Sequence, residues 1–418
     1  MVPRWVEITG RGVLSSAGHD VTEFNRSILA GEGHIAPFDA DAGTPPGPPE
    51  AIAALKLRFN KGAPVVGFTP EKHFEPRVLS GLDRFSQFAA FASRQAWKEA
   101  GFDVDPPASD RVAVIIGTAN AGHEVIGVGW HRLYIDARKP MPLTIPMTMA
   151  SAAASRIARE IGAHGPVFAT SSACASAAHA VMTGVILLRS GQADVAVVGG
   201  SDSCFDFGYL RAWDALRVVT TDICRPFSKG RQGLTIGEGA GLFVIETTEH
   251  ARARGARSIA RLAGGGMTSD AGDLTTPDGR GMTRALREAL RDSGLAMERI
   301  GYVNAHGTGT LINDRLEADA IRQVFGGATD RLPVSSIKSS IGHAMGASGA
   351  LELLATIATL EAGVAPPTLN YKERDPDCPI DVIPEGPRKI QIEAALSNSF
   401  AFGGLNVTLA VTRADVNN

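Results

Sequence analysis

The sequence predicts an α/β chain with largely buried sheets. Short apolar, β-branched runs alternate with longer helical segments, and the runs end in glycine or small polar residues. Strands joined through helices produce that pattern. Length is the third observation: 418 residues exceed what one hydrophobic core usually serves, so two domains or two fused halves are expected.

The opening VEITGRGVLSSAG reads as a strand followed by a turn. Residues 39–64, including GTPPGPPEA, are rich in proline and glycine and read as a surface loop. LDRFSQFAAFASRQAWKEAG places apolar residues at helical spacing and stops at a glycine. RVAVIIGTANAG is a buried strand running into a small-residue loop. ADVAVVGGSDS, GAGLFVIETTEHARARG, IGYVNAHGTGT and LPVSSIKSSIGHAMGASGALELLATIATLEAG continue the alternation, and GGLNVTLAVTR is the closing strand. A faint echo links the halves. A strand ending GTANAG is followed later by a helix bearing Cys174, and a strand ending NAHGTGT by a helix opening GHAMGASGALELL. No repeat is visible residue by residue, so duplication is suggested and no more.

With 44% hydrophobic and 20% charged residues, the composition is that of a globular chain, not a disordered one. A formal charge of −3 gives no reason to expect a nucleic-acid or membrane-surface partner. The start, MVPRWVEITGRGVL, lacks a signal-peptide pattern, and no apolar run is long enough to span a membrane. The four cysteines show no CxxC spacing and are too few for a disulfide framework. Reduced thiols in cytoplasm are therefore expected. The histidines form no HxxxH pair, so no metal site is expected.

TSSACASAAHA surrounds Cys174 with alanine, serine and threonine until His179. Either the thiol fills space in a tight helix, or the room serves another molecule that must reach the sulfur. The thiol stands where a loop becomes a helix, and a helix N-terminus favours thiolate, the nucleophile that attacks acyl groups. His306, in NAHGTGT, closes a strand, where α/β proteins place ligands. His343, in SSIKSSIGHAMGASG, lies among glycine and alanine, with Lys338 five residues earlier. Alone, each histidine is as well explained by structural hydrogen bonding. Together the three share surroundings too small to block access, which points to one site. In SNSFAFGGLN, two phenylalanines against paired glycines suit a loop that turns sharply and places a ring over a pocket.

These stretches, in this order and with CRPFSKGRQGLTIGEGAG, NAHGTGTLINDRLEADAI and PPTLN, resemble the elongating β-ketoacyl-acyl carrier protein synthases, condensing enzymes of the thiolase superfamily. The resemblance spans nearly the whole chain. It implies a thiolase-like duplicated α/β fold, two similar halves (residues 1–253 and 254–418) stacked as five α-β-α-β-α layers. It also implies a homodimer, with pairing to a related subunit as the alternative. Cys174 would accept an acyl group from a carrier-protein thioester, with the backbone N–H groups of Cys174 and Phe402 as the oxyanion hole. Malonyl-carrier protein would lose CO2 while His306 and His343 stabilise the enolate oxygen as Nε2 donors. The carbanion would then attack the acyl-cysteine. No bound cofactor is implied, the substrates being carried on the phosphopantetheine of acyl carrier protein. Lys338 matches the lysine that orders the site, through Glu352. Thr308, Thr310 and Thr275 match threonines that bind the pantetheine arm. Arg138, Lys139 and Arg225 fall where basic residues face the acidic carrier.

Where the resembling proteins read RPFDKxRDGF, this chain reads RPFSKGRQGL: Ser228 and Gln232 replace acids, and Leu234 replaces an aromatic residue. Ala401 and Leu405 replace a common glycine and threonine, and Ala401 is expected to stiffen its loop. Asn120 falls near the gate of the acyl pocket, beside Phe402, and a polar gate argues against an ordinary saturated chain. The alternative is a non-catalytic chain-length factor or a partner-dependent ketosynthase; the former lacks the nucleophile present here. A thiolase would carry a second catalytic cysteine, and Cys378 in PDCPID fits that poorly. Initiating condensing enzymes use Cys–His–Asn, a cysteine hydrolase has no need of two histidines, and a purely structural protein needs none of the three residues.

Overall fold

The structure, a computed structural model, describes residues 5–38 and 56–416. Residues 39–55 of the expected surface loop lie outside the described residues. Eleven strands form the main sheet: β1 (Val6–Ser15), β2 (Val112–Gly117), β3 (Val167–Thr170), β4 (Val195–Asp202), β5 (Gly239–Thr247), β6 (Ala260–Ser269), β7 (Ile300–Asn304), β8 (Pro333–Ser335), β9 (Asp381–Val382), β10 (Ala394–Ala401) and β11 (Leu405–Arg413). Their order is β9-β8-β7-β10-β11-β6-β1-β5-β4-β2-β3.

The junction at the centre is slight, with β1 meeting β6 only where Val6–Ile8 faces Ala260–Leu262. On either side of it the plan repeats. β1-β5-β4-β2-β3 and β6-β11-β10-β7-β8 have the same order, and both pair antiparallel, antiparallel, parallel, parallel outward from the junction. β9 extends the second set. The helices repeat too. α1 (Arg84–Glu99), α2 (Ala152–Ile161) and α3 (Ser176–Arg189) occupy the places that α4 (Gly279–Ser293), α5 (Leu311–Phe325) and α6 (Ser348–Ala362) occupy in the second half. The echo in sequence is thus a duplication of topology.

Burial explains the layering. Every residue of α6 from Ser348 to Leu360 is buried, and a helix apolar all round must lie between other elements. α3 and α6 pack on each other, and α3 touches β2 and β4 on one side and β6 and β11 on the other. The doubled sheet encloses this pair, and the apolar core there includes Ala177, Val181, Leu351 and Leu354. α1 and α2 cover the outside of the first half around Phe85, Phe88, Ile116 and Leu242. α4 and α5 cover the second around Met282, Leu286, Ile321 and Val303. Five layers result, α-β-α-β-α. The close approach of each outer helix to its sheet requires glycine: a Cβ at Gly10 or Gly12 of β1 would strike the carbonyls of Ala96 or Ala92, and one at Gly266 of β6 would strike that of Ala285.

SNSFAFGGLN departs from its reading as a loop. Ser397–Ala401 finish β10, and the turn is Phe402–Gly404 alone, with Gly403 and Gly404 at φ of 81° and 66°. Ala401 is therefore the last strand residue and stiffens nothing in the turn.

Candidate active site

Duplication brings the chemistry together. Cys174 lies between β3 and α3, and His343 between β8 and α6, equivalent places in the two halves. Because α3 and α6 are neighbours in the central layer, the segments before them meet: His343 Nε2 is 3.0 Å from Cys174 Sγ. His306 follows β7 at its C-terminal end, and its ring centroid is 5.5 Å from that of His343. All three side chains are buried, Cys174 at 7% exposure. They line one cavity of about 370 Å³, together with Thr275, Thr308, Thr310, Phe400 and Phe402.

Hydrogen bonds fix both histidine tautomers. The Met345 N–H donates to Nδ1 of His343 over 3.2 Å, and the Ser348 hydroxyl sits 2.8 Å from the same nitrogen. Lys338 Nζ approaches Nδ1 of His306 at 3.3 Å and donates to the His306 carbonyl at 2.6 Å. An ammonium or amide N–H only donates, so each Nδ1 accepts and each Nε2 carries the proton. Burial, reinforced by the Lys338 charge, holds both imidazoles well below their ordinary pKa and keeps them neutral. The Cys174, His306 and His343 ligand atoms lie within 4.8 Å of one another, close enough for a metal. Two inward Nε2–H groups offer such an ion no lone pair.

The cysteine corrects an expectation. α3 begins at Ser176, two residues beyond Cys174, and burial pushes the thiol up to about 11. The nearby Lys338 charge and the backbone N–H groups of Phe402 and Cys174 pull the other way without overcoming burial. Both N–H groups act on the sulfur's charge. Ala173 turns the chain into the site at φ 49°.

Around this centre stands a buried frame. Lys338 is ion-paired with Glu352, whose carboxyl burial lifts to about 7. Glu317 of α5 accepts the N–H groups of His306 and Gly307, each over 2.8 Å, and the Asn398 amide over 3.1 Å. Asp314 accepts from Phe227 N–H at 2.8 Å and Gly309 N–H at 3.1 Å. Asp202, at the end of β4, receives the Ala119 N–H at 2.9 Å and, from the other half, the Gly346 N–H at 2.6 Å. Segment 231–237 threads between the two histidine loops. Gly233 N–H donates to Gly309 (3.0 Å), His343 N–H to Thr235 (2.7 Å) and Gly237 N–H to His343 (3.0 Å). Sequence reading passed over Glu317, Asp314, Asp202 and Arg231, whose guanidinium is buried against Asp314 and donates to the Thr310 carbonyl over 3.2 Å. The signal available for the first two was a pair of acids three apart on a helix that opens immediately after NAHGTGT.

Other expected residues fall elsewhere. Asn120 is not among the cavity's lining residues. Its amide accepts from the Tyr209 hydroxyl at 2.5 Å and donates towards Cys204 Sγ at 3.7 Å. Phe402 does line the cavity, its ring 6.3 Å from Trp213 and near-parallel to it. Arg225 is no free surface cation: it is buried and bonded to Asp222 at 2.5 Å. Arg138 and Lys139 are exposed.

A duplicated five-layer fold whose halves contribute a cysteine and two Nε2–H histidines to one cavity defines the ketosynthase class of the thiolase fold. The comparisons agree. Residues 4–251 match the N-terminal domain of beta-ketoacyl synthase and residues 259–372 its C-terminal domain. Nodulation protein E of Rhizobium sp. (strain N33) is 41% identical over 410 residues, 97% of this chain and 98% of that protein. The 3-oxoacyl-[acyl-carrier-protein] synthase 2 of Coxiella burnetii is 35% identical, covering 99% of both. The solved ishigamide ketosynthase/chain length factor superposes with a TM-score of 0.90 at 33% identity, over 98% of this chain and 99% of that one. The chain belongs to the β-ketoacyl synthase family.

Proposed function

We propose that this enzyme performs the decarboxylating Claisen condensation of an acyl group held on Cys174 with malonyl-acyl carrier protein, giving β-ketoacyl-acyl carrier protein. The observation that carries it is the convergence of one sulfur and two Nε2–H donors in a cavity lined by Thr275, Thr308 and Thr310. Cys174 attacks the incoming thioester, the acyl–S(pantetheine) bond breaks, and the pantetheine thiol leaves with the cysteine's proton. Phe402 and Cys174 N–H groups hold the oxyanion. Malonyl thioester then occupies the cavity and its C–COO⁻ bond breaks to release CO2. The electron pair forms an enolate held by His306 and His343, neutral imidazoles that donate hydrogen bonds to its oxygen but are too weakly acidic to protonate it. The carbanion attacks the acyl-cysteine, a C–C bond forms, the C–S bond breaks, and the Cys174 thiolate takes a proton from solvent. Lys338 and Glu352 act through the histidines, the threonines bind the arm, and Phe402 gates the acyl side. No bound cofactor is needed in these steps.

The division at 253/254 falls between β5 and β6, where the topology starts to repeat. Among the described residues β3 is one of the two edges of the main sheet, β9 being the other; Phe168 on it is exposed, and Trp130, Leu133, Ile145 and Met149 are exposed nearby in the chain. An unpaired edge beside exposed apolar groups is a pairing surface, and a second copy of this chain is its partner in this reading. A related subunit is the alternative, supported by the ketosynthase/chain length factor likeness. Arg138 and Lys139 remain as carrier-facing cations. Cytoplasmic residence rests on four free cysteines; among the described residues no helix is long and apolar enough to cross a membrane. Fatty-acid elongation and a specialised polyketide or polyene pathway share this chemistry.

The test is turnover of acyl-primed enzyme with malonyl-carrier protein. His306→Ala or His343→Ala is expected to slow CO2 release by about 10²–10³ while Cys174 acylation stays detectable. Undiminished decarboxylation in both variants would contradict the reading.

A further inference from the structure

We propose that Arg217 binds the phosphate of the phosphopantetheine arm at the mouth of the cavity, an assignment that rests on the function proposed above. Arg217 caps the helix Phe207–Leu216 in the left-handed region, φ 58° and ψ 27°, with its N–H bonded to Asp214. Non-glycine residues adopt that conformation rarely. The cap directs the chain so that Arg217 lines the same cavity as Cys174 while staying exposed, which places it at the rim. Among the described residues no hydrogen bond or ion pair engages its guanidinium. Arg225 and Arg231, in contrast, are committed to Asp222 and to Asp314 and Asp375.

Its neighbour explains why the charge is free. Leu234 N–H donates to Val218 and Thr220 N–H to Leu234, over 3.0 and 2.8 Å, and Val219 and Leu234 form a parallel bridge. The two segments therefore run side by side, with Gln232 abreast of Arg217. Both line the cavity, and Gln232 is also exposed. An acid at position 232, as in RPFDKxRDGF, would neutralise the guanidinium and repel a phosphate. Glutamine does neither. The next residue, Gly233, donates to Gly309 between Thr308 and Thr310, so the arm-binding threonines and Arg217 lie along one wall. An arm with its thioester at Cys174 and its amides on the threonines presents its phosphate to Arg217, whose planar fork suits phosphate oxygens.

The experiment compares two small donors with the same thioester, acyl-phosphopantetheine and acyl-pantetheine, and reads Cys174 acylation by intact mass over a concentration series. Expected is a preference of about tenfold for the phosphorylated donor, expressed in KM. The ratio should fall towards one in Arg217→Ala, be partly kept in Arg217→Lys, and shrink in Gln232→Glu. A preference that survives Arg217→Ala, or no preference in the unaltered enzyme, overturns the assignment. A deficit of Arg217→Ala seen only with whole carrier protein would assign the arginine to the carrier's acidic side chains and likewise overturn it. Acylation by neither small donor nor by whole acyl-carrier protein would sink the thioester reading itself, a result distinct from equal acylation by both small donors.

Discussion

At the scale of single residues, the site is governed by burial. A sulfur enclosed by alanine and serine side chains loses the solvation that a thiolate needs, and nearby N–H groups only offset this. Alkylation of Cys174 by iodoacetamide, followed on its peptide by mass, is therefore expected to keep rising through pH 10, because the thiol is pushed up to about 11. A plateau below pH 9 would mean that the N–H groups dominate. The cysteine and both histidines were legible because small neighbours are visible in sequence. Their Nε2–H tautomers came from the resemblance alone, since the donors to Nδ1 are Met345 N–H and Lys338 Nζ, contacts that exist only once the loops are folded.

At the scale of elements, the histidine loops are held by acids whose partners come from elsewhere in the fold. Glu317 is the clearest. Glu317→Ala leaves the N–H groups of His306 and Gly307 buried without an acceptor, at about 1–3 kcal/mol each, and a lower Tm is expected, with Glu317→Gln losing less. An unchanged Tm in Glu317→Ala would contradict this. The carboxyl is lifted by burial to about 7. Between its unfolded value of roughly 4.3 and that point the native chain holds a proton the unfolded chain has lost. The contribution of Glu317 to stability therefore declines as pH rises through that window. A pH series of Tm should show a flatter decline in Glu317→Gln. Most strands and helices were legible from periodicity, as in RVAVIIG and FSQFAAFASRQAW. The surroundings of Arg225 and Asn120 were not legible, because alignment to a motif gives position along the chain and not burial. Arg225 is buried and paired with the half-exposed Asp222, and the Asn120 amide accepts from Tyr209.

At the scale of the whole molecule, two copies of one topology set two loop-helix junctions face to face, so residues 169 apart in sequence touch. Sequence hinted at this only faintly, because the halves share strand order and not residues. The free edge β3 carries the pairing prediction. Phe168→Glu is expected to shift sedimentation from dimer towards monomer, and an unmoved dimer would place the interface elsewhere. The central claim is that Cys174 is the nucleophile for a carrier-borne acyl group. It is tested most directly by intact-protein mass after incubation with a panel of acyl-carrier proteins, beside Cys174→Ala. The account predicts a gain equal to one acyl group in the unaltered enzyme and none in Cys174→Ala. An equal gain in both, or no gain with any donor, would contradict it.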